Sequence, residues 1–177
     1  MSYKPPPRLI FKDPIHLVAF GFGSGLAPKA PGTFGSVIGL PVFFLLFWMP
    51  APAYFVAVLL LFMLGIWLCG DSASRLGVHD HPGIVWDEIV GMLIALAPLM
   101  DEIAMLYAPP GIDLWVWLLV AFVLFRIFDI LKPPPIGWLD KKMHGGLGIM
   151  IDDVIAGVFA AIGLVLIMLI TNTLVAG

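Results

Sequence analysis

His144-Gly-Gly-Leu-Gly-Ile-Met-Ile-Asp152-Asp153-Val-Ile-Ala-Gly157 sets two adjacent carboxylates at the mouth of an apolar run that continues from Val154 to Leu174 without another charge. That run matches the ~20 residues a helix needs to cross a bilayer core. Ionised groups at the border of hydrocarbon cost free energy unless they meet a cation, a partner or a water-filled cavity, so the pair marks a functional site. Two neighbouring Asp side chains also repel each other unless a cation lies between or beside them.

Four more apolar runs precede this one: Thr33 to Met49, Ala53 to Cys69, Ile84 to Met100 and Leu114 to Leu131. Most fall a little short of a full span, which bilayer thinning and snorkelling accommodate, so the expected count is about five membrane-embedded helices, within a range of four to six. Composition points the same way. With 61% hydrophobic and 12% charged residues in 177 and a mean hydropathy of +1.06, the chain cannot present the polar surface of a soluble domain. The expected fold is an all-α, polytopic membrane helix bundle with polar active-site loops at one face. No linker, low-complexity segment or repeat divides it, so residues 1–177 are expected to form a single domain.

All nine Lys and Arg residues (Lys4, Arg8, Lys12, Lys29, Arg75, Arg126, Lys132, Lys141, Lys142) fall on one side of a five-span arrangement. The excess of positive charge predicts that side to be cytoplasmic. The turn Pro50-Ala51-Pro52 is uncharged, and the connection from Asp101 to Asp113 is acidic without a Lys or Arg; both are expected outside. Ile15 to Leu26 would make the span count even if its glycines form a re-entrant loop. Three early prolines and no small-residue cleavage pattern argue against a removable signal peptide. The single cysteine, Cys69, excludes an intramolecular disulfide and a thiolate metal cluster and is expected to serve packing. A net charge of -3 without a basic, aromatic-interleaved run gives no support to nucleic-acid binding.

Four polar segments converge on the predicted cytoplasmic side. The first, Gly21-Phe-Gly-Ser-Gly-Leu-Ala-Pro-Lys-Ala-Pro-Gly-Thr-Phe-Gly-Ser36, offers flexible backbone N–H groups to an anion, with Ser24 nearby and Thr33 or Ser36 as caps of the next helix. Its plainer reading is packing and turn glycines. The second, His79-Asp80-His81-Pro82-Gly83-Ile84-Val85-Trp86-Asp87-Glu88, puts two acids in a helix's opening turns, about 100° apart around the axis. In the third, Phe125-Arg126-Ile-Phe-Asp129-Ile-Leu-Lys132-Pro133, Arg126 and Asp129 share a helix face, as an ion pair or as separate ligands of phosphate and metal. The fourth is the opening stretch, read as a glycine loop followed by paired acids. Hard oxygen donors without cysteine favour Mg²⁺ over zinc or copper.

The candidate metal ligands are therefore Asp87, Glu88, Asp129, Asp152 and Asp153. Arg126 and Lys132, with Ser24, Thr33 and Ser36, are the candidates for phosphate. His79, Asp80, His81 and His144 stand beside the acids as candidates for proton transfer, whereas His16 is expected to be interfacial or structural. Trp48, Tyr54, Trp115 and Trp117 lie near predicted span ends and suggest an interfacial belt. A cation transporter or channel with a carboxylate-lined site is the main alternative from another class. A lipid phosphotransferase is a second, weakened by the absence of its spaced Asp pattern.

From about Pro14 to Gly157 the chain resembles the phosphatidylglycerophosphatase A family. The resemblance rests on Gly21-Phe-Gly-Ser-Gly-Leu with Pro31-Gly-Thr-Phe-Gly-Ser36, Val78-His-Asp-His81, Ile84-Val-Trp-Asp-Glu-Ile-Val-Gly-Met92, Phe125-Arg-Ile-Phe-Asp129 with Lys132-Pro133, and His144-Gly-Gly-Leu-Gly-Ile-Met-Ile-Asp-Asp153. It implies Mg²⁺-dependent hydrolysis of phosphatidylglycerophosphate to phosphatidylglycerol and inorganic phosphate, the last step in that lipid's synthesis. The implied place is the cytoplasmic face of the bacterial inner membrane, among membrane lipids.

Overall fold

In a computed structural model, which describes residues 5–100, 104, 109, 111–134, 136, 138 and 143–176, the amphipathic start of the chain breaks into short pieces because prolines interrupt it. Helix α1 covers Pro7–Lys12, α2 covers Pro14–Ala19 and a 3-10 turn covers Gly21–Leu26. None of these is long enough to enter and leave the bilayer, so Ile15 to Leu26 adds no span. Lys4, Lys141, Lys142 and most of the Asp101 to Asp113 connection lie outside the described residues.

Five apolar helices follow: α3 (Pro31–Leu46), α4 (Ala51–Leu76), α5 (Trp86–Leu96), α6 (Leu114–Leu131) and α7 (Gly145–Ala176). Three of them, α4, α6 and α7, are long and apolar enough to cross a membrane. The expected all-α membrane bundle is what the chain forms, with no strand among the described residues. Two boundaries differ from the sequence reading. The run Ile84 to Met100 is helical only over the 11 residues of α5, after which Ala97–Leu99 tightens into a 3-10 turn around Pro98. At ~1.5 Å per residue α5 covers roughly 16 Å, about half the bilayer core. The glycines before Asp152 are not a loop, because α7 already starts at Gly145.

This short helix is the centre of the bundle, packed against α3, α4, α6 and α7. All its residues except Glu88 and Ile94 are buried. Side-chain bonds to backbone carbonyls fix its register on α4. The Tyr54 hydroxyl donates to Leu93 O at 2.6 Å and Trp86 Nε1 donates to Leu61 O at 3.1 Å. Tyr54 and Trp117 are thus core residues, 0% and 4% exposed, while Trp48 and Trp115 at 87% and 71% remain free for an interfacial belt. For Tyr54 the difference arises because a polar ring tip near a helix end is satisfied equally by headgroups or by a carbonyl, whereas the buried Trp117 Nε1 has no hydrogen-bond partner among the described residues. Cys69 packs as expected, buried with Sγ 3.7 Å from Met150 Sδ.

Small residues let the helices approach. On α3, Gly32, Gly35, Ser36 and Gly39 form one buried stripe, and a Cβ on Gly35 or Gly39 would press on Val85 or Met92. Where α5 meets α7, a Cβ on Gly91 would stand 2.7 Å from Asp153 O. Close backbone approach through glycine is the usual device of membrane helices, which have no solvent-driven force between them.

The N-terminal pieces are tied to the far end of α4. Asp13 caps α2 through Ile15 N at 2.9 Å and pairs with Arg75 at 2.8 Å. Burial works to raise the Asp13 carboxyl, but the Ile15 N–H and the Arg75 guanidinium outweigh it and hold it below its usual range. Buried His16 places Nδ1 2.8 Å from Ser72 Oγ. Its role is structural, as expected: His16→Ala should lower stability by about 1–3 kcal/mol by leaving the Ser72 hydroxyl unpaired. Thermal unfolding in detergent checks this, with activity at low temperature unchanged.

Candidate functional site

Each polar segment enters the bundle at the start of α3, α5 or α7 or at the end of α6. The half-length of α5 decides how deep they meet. Because Trp86 is level with Leu61, Asp87 and Glu88 lie beside the middle of α4, roughly 20 Å along the axis from its basic end at Arg75. The acids are therefore recessed below the face at which the sequence placed them, beneath α2 and the 3-10 turn.

Asp87, Glu88 and Asp153 bring one carboxylate oxygen each to within 4.8 Å of one another. Asp87 Oδ1 also accepts from Glu88 N at 3.1 Å, which fixes its rotamer. The Asp87 and Glu88 carboxylates lie within hydrogen-bonding reach of each other, and so do those of Asp129 and Asp153. Asp152 completes the set as a charged neighbour of both Asp87 and Asp153. All five candidate metal ligands thus belong to one electrostatically linked group, of which Asp87, Glu88 and Asp153 form the tightest part. Such a group is unfavourable by itself, since like charges in a low-dielectric recess repel strongly. Glu88 Oε2 and Asp153 Oδ1 are buried without a hydrogen-bond partner in the protein. Orphaned oxygens in an all-oxygen donor set fit a hard divalent cation.

Two cations border the acids. Arg126 pairs with Asp129 at 2.5 Å, three residues on, and Nη1 donates to Ser36 Oγ at 3.2 Å. Lys132 Nζ reaches Asp152 Oδ2 at 2.5 Å. Lys132 ends α6 in a left-handed conformation, φ 42°, with Pro133 next in the chain. That turn directs the amine back toward α7.

The small polar candidates take other places than expected. Helix α3 has Ala30 as its N-cap, so Thr33 and Ser36 lie inside the helix and cap nothing. Ser36 Oγ donates to Gly32 O at 2.9 Å while accepting from Arg126, which makes it a holder of the guanidinium. Ser24 has a buried hydroxyl beneath Gly21. Sequence reasoning missed Gly32, whose Cβ position abuts Glu88 Oε1 and stands 3.4 Å from Arg126 Nη1. The recurrence of small residues at 32, 35, 36 and 39, one helix face, was the signal.

The histidines separate. His81 is buried, accepts from Gly83 N through Nδ1 at 2.9 Å and packs against Phe20, so its proton sits on Nε2. His79 and His144 are exposed and meet edge to face with centroids 4.9 Å apart. Asp80 contributes to the field at Asp87.

Fold and site together define a polytopic membrane protein with a recessed carboxylate centre flanked by Arg and Lys. The phosphatidylglycerophosphatase A family profile matches residues 17–168. A protein of that name from Escherichia coli (strain K12) is 47% identical over 154 residues, covering 87% of this chain and 83% of the relative. One from Haemophilus influenzae is 45% identical over 159 residues, covering 89% and 91%. A Bacteroides thetaiotaomicron protein, 40% identical over 152 residues and covering 82% and 88%, carries a name that provisionally assigns it phosphatidylinositol-3-phosphatase activity. No solved structure matches. The chain belongs to the phosphatidylglycerophosphatase A family, a family named for a phosphatase.

Proposed function

We propose that this chain is a Mg²⁺-dependent phosphatase that hydrolyses phosphatidylglycerophosphate to phosphatidylglycerol and inorganic phosphate, as the closing step of that lipid's synthesis. The observation that carries the reading is the convergence of Asp87, Glu88 and Asp153, with orphaned buried oxygens, beside Arg126 and Lys132. The names of the two most similar relatives above supply the substrate. Placement in a bacterial inner membrane with the site opening to the cytoplasm is supported by Arg8, Lys12, Lys29 and Arg75, which gather at the α2 end of the bundle. The family favours this over cation transport.

Asp87, Glu88 and Asp153 would hold the Mg²⁺, with Asp129 and Asp152 close enough to join them or to hold its waters. When bound, the cation supplies charge neutralisation for a phosphoryl group in transfer. Arg126, steadied by Ser36 and Asp129, and Lys132, steadied by Asp152, are placed to bind phosphate oxygens. Both would exchange a carboxylate partner for the substrate's oxygens, trading one charge-assisted contact for another. His79, His81, His144 and Asp80 are the groups we assign to proton movement at the mouth. The bundle around α5 excludes bulk water, which strengthens each of these interactions.

The test is phosphate release from phosphatidylglycerophosphate by purified protein in detergent. Release is expected with Mg²⁺ and none with EDTA; no release from folded protein with Mg²⁺ overturns the reading. Lys132→Ala should raise KM by about tenfold with a smaller change in kcat, since it removes a substrate-binding charge. An unchanged KM would take Lys132 out of the phosphate site.

A further inference from the structure

The recess poses a problem of access: a two-chain lipid must bring its phosphate to acids that lie roughly 20 Å from the end of α4. Beside the recess, between the N-terminal prolines, the 3-10 turn and the loop before α5, lies a cavity of about 410 Å³. Pro6, Phe20, Leu26, Ala27, Pro31 and His81 are among its walls, and among the described residues no Asp, Glu, Lys or Arg lines it. A cavity of this size and lining suits hydrocarbon and ester groups rather than a phosphate. Glycine backbones form part of the wall: a Cβ on Gly25 would strike Gly83 O, so this wall stays thin only with glycine.

The cavity and the carboxylates are neighbours. Pro31 lines the cavity, and the next residue, Gly32, abuts Glu88 Oε1 and Arg126. The first turn of α3 therefore borders both. The elements that wall the cavity also carry Leu9, Phe11, Phe22 and Phe34, exposed by 39%, 58%, 59% and 52%. Phe22 holds a left-handed backbone, φ 57°, while leaving its ring outside the protein core. A strained aromatic residue displayed this way is unfavourable in water and stabilised in acyl chains. Exposed Arg8, Lys12 and Lys29 on the same elements complement anionic headgroups.

We propose that this cavity is the lipid-end subsite: it receives the diacylglycerol end of an anionic lipid phosphate entering sideways from the leaflet. The phosphate then passes the first turn of α3 to reach Asp87, Glu88 and Asp153. The inference rests on the lipid-phosphatase reading and adds to it the place where the non-reacting part of the substrate binds.

Two measurements test it. Ala27→Trp fills the cavity, and it should raise KM for dioleoyl phosphatidylglycerophosphate about tenfold, the loss expected from about two unburied methylenes. Hydrolysis of the deacylated head group, glycerophosphoglycerophosphate, should stay within about twofold of the wild type, since KM alone reports uniform binding. In the second, wild-type protein is photolabelled with phosphatidylglycerophosphate bearing a diazirine near the acyl ester. Labelling is expected between Gly25 and Pro31, competed by unlabelled phosphatidylglycerophosphate and not by phosphatidylcholine. Equal effects of Ala27→Trp on both compounds, or on neither, overturn the proposal, as does competed labelling elsewhere. Should the wild type hydrolyse neither compound, the phosphatase reading fails and the photolabel still decides the cavity.

Discussion

Asp153→Asn should lower phosphate release by about three orders of magnitude or more, because it removes one of three charges that would hold an essential cation. The side chain is nearly isosteric, so packing against Gly91 and α5 survives. Stability should move the opposite way. Without metal, the carboxylates of Asp87, Glu88 and Asp153, one oxygen of each within 4.8 Å of the others, repel one another, and removing a charge relieves that repulsion. In EDTA the variant is therefore expected to unfold at a higher temperature than the wild type, a trade of stability against function common at active sites. Added Mg²⁺ should raise the wild-type transition by binding linkage and leave that of the variant almost unmoved. Asp152→Asn makes a useful contrast. It keeps the tight trio and weakens the grip on Lys132, so its main effect should be on KM. If Asp153→Asn retains near-normal kcat, or if both variants gain the same Mg²⁺-dependent stabilisation as the wild type, the trio is not the metal site.

The bundle and the identity of its polar residues were legible because both rest on local pattern. Apolar runs of membrane length can hardly be anything but embedded helices, and a carboxylate at the end of such a run stands out against its surroundings. What pattern does not carry is depth. Ile84 to Met100 looks like one more span, but Pro98 and the pairing of Trp86 with Leu61 make it a half-length central helix. The acids are sunk in consequence. Tyr54 resembles a belt residue in sequence for a related reason: a ring with a polar tip suits an interface and a backbone carbonyl alike, and only the tertiary register reveals Leu93 O as its partner. The chemistry of Ser36 makes it a candidate for phosphate, but local pattern does not carry its neighbours in the fold, Gly32 O from its own preceding turn and Arg126 from another helix.

Gly157→Val should cost stability and activity together, and by a route that touches no charged group. A Cβ at Gly157 would collide with Gly91 O on α5 and lie 3.1 Å from Ile94 Cβ. The obstacle is backbone, which cannot rotate away as a side chain can, so α5 and α7 must separate. Overpacking of this kind typically costs about 1–3 kcal/mol. Asp153 lies one turn before Gly157 on α7, and Asp87 and Glu88 lie one turn before Gly91 on α5, so the same separation opens the carboxylate trio. A displacement of about 1 Å in a positioned site is enough for a loss on the order of 100-fold in rate. The expected signature is a fall in kcat with weaker Mg²⁺ dependence, in protein that is still helical by circular dichroism but unfolds at lower temperature. Gly163 on the same helix is the control. A Cβ there meets only the flexible end of Leu124 at 3.5 Å, so Gly163→Ala should leave both properties near wild type. Loss of activity at Gly163→Ala equal to that at Gly157→Val would mean that α7 is sensitive throughout and that the Gly91–Gly157 contact does not set the geometry of the site.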